Sequence, residues 1–200
     1  KYPSGGGDVP MGSLITRDNA LHMRLKLAHM RLGLGVGMND VELVLRSLPS
    51  TALRYHAQDK TARQLAAALQ RQNAVKQLLH PAFASSPGHA LWQQRCATPE
   101  NPAGAAAGIF SVVFDAPQSQ VDDFCNRLQL FKLGYSWGGH ISLVMPYALD
   151  EMRDLGRGAV LPGCLVRLCI GLEEAADLER DVAQAYGHAF GHAWRGQGVH

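Results

Sequence analysis

Four short apolar runs limit what this chain can fold into. They are "VKQLLH" at 75–80, "GIFSVVFD" at 108–115, "HISLVMP" at 140–146 and "CLVRLCIG" at 164–171. Each has the length and apolar character of a strand and sits between turn-forming residues. Helical patterns lie between and after them. One covers 119–130, with Val121, Phe124 and Leu128 on one face; another covers 173–190, with Leu178, Val182, Ala185 and Ala189. Loops containing Pro, Ser and Gly join them at 81–89 and 98–107. The alternation predicts a mixed α and β architecture, with a sheet covered by helices. With 200 residues, 46% apolar and 18% charged, the chain can bury such a core and is not disordered.

The first part of the chain reads differently. Residues 1–16 form a loop in which Gly5, Gly6 and Gly7 permit backbone angles that other residues avoid. Leu21, Leu25, Ala28 and Leu32 then mark one helix face, which ends at the glycines of 33–37. Asn39, with Glu42 three residues on, predicts a capped helix start. Val41, Leu45, Leu48, Ala52 and Tyr55 continue one face through about Gln72. Pro49 interrupts it, and a proline removes a backbone donor, so a kink or break is expected near Leu48. A domain boundary is therefore expected at 47–50, dividing the chain into 1–47 and 48–200.

Several function classes find no support. The formal charge is +2, from 19 basic and 17 acidic residues without a basic run, so nucleic acid is not an expected partner. No apolar stretch reaches the ~20 residues of a membrane span. The four cysteines include no CxxC pair, and sparse cysteine suits a reducing compartment such as the cytoplasm. No HExxH is present, "GLGVG" lacks a preceding strand, and His188 and His192 have no third partner, so no metal site is expected. A chain that starts on lysine rather than methionine is expected to lack its native N-terminus.

Three features could carry chemistry. Lys1 is either a solvated charge or a reactive amine with a small-residue loop beside it; a lysine amine can attack carbonyls, and burial can make it a useful base. "YSWGG", Tyr135 to Gly139, is either a strand end with a tight turn or a wall of a small-molecule pocket. Arg167, alone in an apolar strand, pairs either with an internal carboxylate or with an anionic ligand.

Taken in order, the blocks settle on one family. Lys1-Tyr2, Gly5, Asp8, Gly12, "LRSL" at 45–48, "HPAF" at 80–83, "PGHALW" at 87–92, "GIFSVVF" at 108–114, "YSWGG" at 135–139 and "LVRLCIGLEE" at 165–174 resemble the C-terminal half of the Cys/Met-metabolism pyridoxal phosphate (PLP) enzymes. The resemblance extends to about residue 185. It implies a fold-type-I PLP-transferase-like α/β protein. Residues 1–47 would end the large PLP-binding domain, and 48–200 would form a small α+β domain with an antiparallel sheet covered by helices. It implies pyridoxal 5'-phosphate as cofactor, carried by Lys1. It implies Arg167 as the grip on a substrate α-carboxylate, helped by Ser136 and the Trp137 backbone, with Tyr135 against the same pocket.

Trp137 resembles the cystathionine β-lyase branch, because the γ-lyases and γ-synthases usually carry leucine there. That implies β-elimination of cystathionine to homocysteine, pyruvate and ammonia, in methionine biosynthesis. A γ-lyase, γ-synthase or sulfhydrylase reaction is the alternative, and an inactive structural fragment is another. Implied partners are a small amino-acid substrate, the N-terminal half of the same enzyme, and further copies in a dimer of dimers. The ring-stacking tyrosine, the pyridinium aspartate and most phosphate ligands precede the lysine in this family. Four residues depart from the family pattern. His140 and Ile141 stand beside the pocket where an acidic residue usually follows the glycines, Cys169 replaces a histidine, and Pro49 replaces an arginine.

Overall fold

Side chains alternate across a strand, and that alternation sorts the sheet into two faces. In β2 (Ile109–Phe114) Phe110, Val112 and Phe114 are buried, and in β5 (Cys164–Cys169) Val166 and Leu168 are buried. Ser111 and Arg167, which pair across the two strands, lie between these residues and are only partly covered. They therefore face away from the helical layer. The computed structural model describes residues 1–149 and 163–196.

The sheet has five strands in the order β1-β2-β5-β4-β3. β1 (Val75–Leu79), β2, β5 and β4 (Leu143–Tyr147) pair antiparallel, as expected. The two-residue β3 (Lys132–Leu133) adds a parallel pair at the β4 edge. It is too short to show alternation, so no sequence pattern marks it.

The first helix, α1 (Asn19–Arg31), is capped by Asp18, whose carboxylate accepts from Ala20 N at 2.8 Å and Leu21 N at 3.1 Å. The cap of α2 (Met38–Ser47) lies two residues before the expected one. It is Gly37, in extended backbone, and Asn39 lies inside the helix. Asp40 occupies the first turn, where its charge suits the positive end of the helix. The break at Pro49 is a single 3₁₀ turn, Leu48–Ser50, between α2 and α3 (Thr51–Gln70). α4 (His89–Cys96) follows Gly88, which has φ +79. It has no apolar stripe and no buried residue, so its pattern does not announce a helix.

α3, α5 (Gln118–Arg127) and α6 (Ala175–Phe190) cover the sheet. Phe114 stacks on Phe190 at 5.2 Å, and Phe124 and Tyr186 close the same cluster. The Tyr186 hydroxyl accepts from Ala74 N at 3.0 Å, which satisfies a buried polar group and pins the start of β1. α1 and α2, by contrast, bury no residue. Among the described residues, no helix is long and apolar enough to cross a membrane.

Candidate active site

The loop after Lys1 turns back on itself. Gly5 and Gly7 take φ of +78 and +72, angles that cost L-residues energy. Ser4 Oγ donates to Lys1 O at 2.9 Å and closes the turn. The result brings Gly7 O within 2.7 Å of Lys1 Nζ, which donates to it. Lys1 Nζ also donates to Ser136 Oγ at 3.1 Å, and Ser136 Oγ donates to Gly7 O at 3.2 Å. An amine, a hydroxyl and a carbonyl thus form one closed triangle.

The glycine turn of "YSWGG" lies back to back with this loop. A Cβ on Gly139 would sit 2.7 Å from Gly6 O, and one on Gly7 would sit 3.0 Å from Trp137 O. Only paired glycines allow the two backbones this close. The Trp137 ring then stands beside the amine, with Lys1 Nζ 5.4 Å from its centroid.

Arg167 reaches the same ring from the sheet, its Cζ 5.9 Å from the indole centroid and 5.7 Å from that of Tyr147. It donates to Gly134 O at 3.2 Å. Among the described residues no carboxylate pairs with it. Among the described residues most of the guanidinium's donors therefore lack an acceptor, and two cations flank one indole. That arrangement suits an anion. Tyr135 is 60% exposed and sets its ring edge against Tyr147 at 6.1 Å, so it borders the Arg167 side rather than the amine.

The departures sit close by. Ile141 lines a cavity of about 200 Å³ with Ser136, Trp137, Lys132 and His140. His140 O accepts from Leu172 N at 2.9 Å, and Glu173 accepts from both Ser142 N and Ser142 Oγ, so the chain beyond the glycines is firmly held. Cys169 is buried, and burial pushes its thiol up.

Three residues near the amine carry no signature of their own in the sequence. Tyr2 accepts from Gly108 N at 3.0 Å, and burial pushes its phenol up to about 12, so it stays protonated. Arg54 donates to Tyr2 O at 2.7 Å, and Gln58 Nε2 donates to Gly139 O at 2.7 Å. One signal existed: Gln58 continues the apolar face that runs through Ala52 and Tyr55, and a polar residue there needs a partner.

The residues present fit one end of a pyridoxal group. A primary amine in a glycine-walled cleft can take an aldehyde, and a forked cation nearby can hold the carboxylate of the amino acid joined to it. Ring and phosphate contacts would come from elsewhere in a longer protein.

The family profile "Cys/Met metabolism PLP-dependent enzyme" matches residues 1–187. The chain is 36% identical over 192 residues to a cystathionine beta-lyase of Bordetella avium, covering 94% of this chain and 46% of that protein. It is 31% identical over 188 residues to a cystathionine gamma-synthase of Mycobacterium tuberculosis, covering 94% and 47%. The solved cystathionine gamma-synthase of Xanthomonas oryzae pv. oryzae in complex with cystathionine superposes with a TM-score of 0.80 at 29% identity, over 96% of this chain and 49% of that one. The chain spans about half the length of the curated relatives it matches. It belongs to the Cys/Met metabolism PLP-dependent enzymes.

Proposed function

We propose that this chain forms the C-terminal half of a carbon–sulfur lyase that eliminates homocysteine from cystathionine, with water then releasing pyruvate and ammonia. The observation that carries it is the convergence of Lys1 and Arg167 on one indole, with Ser136 touching the amine. Pyridoxal phosphate, when bound, supplies an electron sink for the negative charge that develops at the substrate α-carbon. The chain's own residues do the rest. Arg167 binds the α-carboxylate through its fork, and Ser136 and the Trp137 backbone complete that grip. This fixes the direction of the Cα–H bond toward the amine. Lys1, once free, takes the Cα proton as general base and returns a proton to the departing sulfur. Trp137 and Tyr147 line the cleft beside these cations.

The assignment to β-elimination rests on Trp137 and on the β-lyase relative. Relatives named gamma-synthase favour a second reading, in which the same residues act on a γ-substituent. Incubating the full-length enzyme with cystathionine separates the two. Pyruvate with homocysteine supports β-elimination; 2-oxobutyrate with cysteine moves the enzyme to the γ-branch. Lys1→Ala should abolish either product.

The setting proposed is a cytoplasmic homo-oligomer in which the preceding half of the enzyme packs against 1–47. Leu14, Ile15, Met30, Leu32 and Met38 are each more than two-thirds exposed, and apolar surface on that scale favours burial.

A further inference from the structure

We propose that helix α3 is the spacer that sets the distance between the Lys1 amine and the "YSWGG" turn, and that Arg54 and Gln58 are positioning residues for the amine. This rests on the reading of Lys1 as the reactive amine. The two residues are four apart, so they share one face of the helix. Each grips one wall of the cleft. Arg54 donates to Tyr2 O at 2.7 Å and Pro3 O at 3.3 Å, the first carbonyls after Lys1. The same guanidinium holds Ser47 O, Ser50 Oγ and Thr51 Oγ1, which anchors it to the α2–α3 joint. A Cβ on Gly5 would lie 2.9 Å from Arg54 Cζ, so the loop is laid directly against the guanidinium. Gln58 Nε2 holds Gly139 O on the opposite wall, at 2.7 Å. Lys1 Nζ and Ser136 Oγ meet at 3.1 Å between these two grips.

Stability does not account for Gln58. It is 1% exposed, and its Oε1 is buried without a partner among the described residues. An orphaned buried acceptor destabilises a fold, and an apolar side chain of similar length would remove it while leaving Gly139 O without this donor, so the two costs offset. What such a residue could not do is hold Gly139 O. The amide orientation follows from this bond, because the flipped amide would set oxygen against oxygen.

The test uses the full-length enzyme stripped of cofactor and supplied with pyridoxal phosphate. Amine and aldehyde condense with loss of water, and borohydride quenching at timed intervals gives the rate at which a stable adduct forms at Lys1. The pH dependence of the visible absorbance gives a second readout, and a thermal melt a third. Gln58→Met should melt near the parent temperature yet form the adduct roughly 10- to 100-fold more slowly, the scale of a displacement near 1 Å. Its absorbance midpoint should move along the pH axis. Arg54→Lys should slow the adduct less than Arg54→Ala, since an ammonium can still reach one carbonyl. If folded Gln58→Met and Arg54→Lys both match the parent in adduct rate and pH midpoint within twofold, the spacer role is wrong. If Lys1→Ala still forms the parent's adduct, the reading of Lys1 itself has failed, whatever the α3 variants do.

Discussion

Arg167 and His80 are both costly residues, and they are resolved in opposite ways. Arg167 sets its guanidinium on the outer face of the sheet, against the Trp137 ring, and among the described residues no carboxylate pairs with it. Arg167→Lys retains the charge but loses the fork, so KM for the amino acid should rise about tenfold or more while kcat changes less. Steady-state kinetics on the full-length enzyme reads this directly; an unchanged KM would remove Arg167 from the carboxylate site. His80 is fully buried between Phe83 and Phe110, with its Nδ1 accepting from Ala82 N and its Nε2 without a partner among the described residues. Burial lowers its pKa to about 4, helped by the nearby Arg63 and opposed by Asp59. The unfolded chain therefore takes up a proton between pH 6.5 and 4 that the folded chain refuses. Stability falls as pH drops through that window, by about 2 kcal/mol at pH 5 relative to neutral. Urea unfolding at pH 7.5 and pH 5 should show this loss shrinking in His80→Phe. An equal loss in both proteins would mean that His80 is not the group responsible.

At the scale of elements, the site is two loops pressed together by glycines. Gly139→Ala would push a methyl into Gly6 O and part them. A loss of kcat/KM of at least tenfold is expected, because a displacement near 1 Å is enough. Parent-like kinetics in Gly139→Ala would show that the loops separate without consequence. The four longer strands were legible as short apolar runs between turn residues, and α6 because burial on one side writes a period of 3.6 into the sequence. The helix break at Pro49 was legible from backbone chemistry. What lacks a buried face was not legible. α4 carries no stripe, β3 is two residues long, and the start of α2 follows Gly37 and Asp40 rather than the more conspicuous Asn39. The site divides in the same way. Lys1, Ser136, Trp137 and Arg167 were visible as a family pattern, and the structure brings them together. Arg54 and Gln58 were not, because their partners are backbone carbonyls distant in sequence, and a carbonyl has no letter of its own.

Across the whole molecule, packing is uneven. The helical side of the sheet holds a dense aromatic cluster, and Phe114 at its centre is fully buried. Phe114→Ala should cost about 3–5 kcal/mol through lost contacts and a cavity. Residues 1–47 contribute little to that core and expose apolar side chains instead. The amine that begins this segment is the point on which the functional proposal turns. The most direct measurement is therefore a map of borohydride-reduced adducts on the full-length enzyme with pyridoxal phosphate. One adduct at Lys1, absent from Lys1→Ala, is the expected result. A single specific adduct on any other lysine, or none at all, would contradict it.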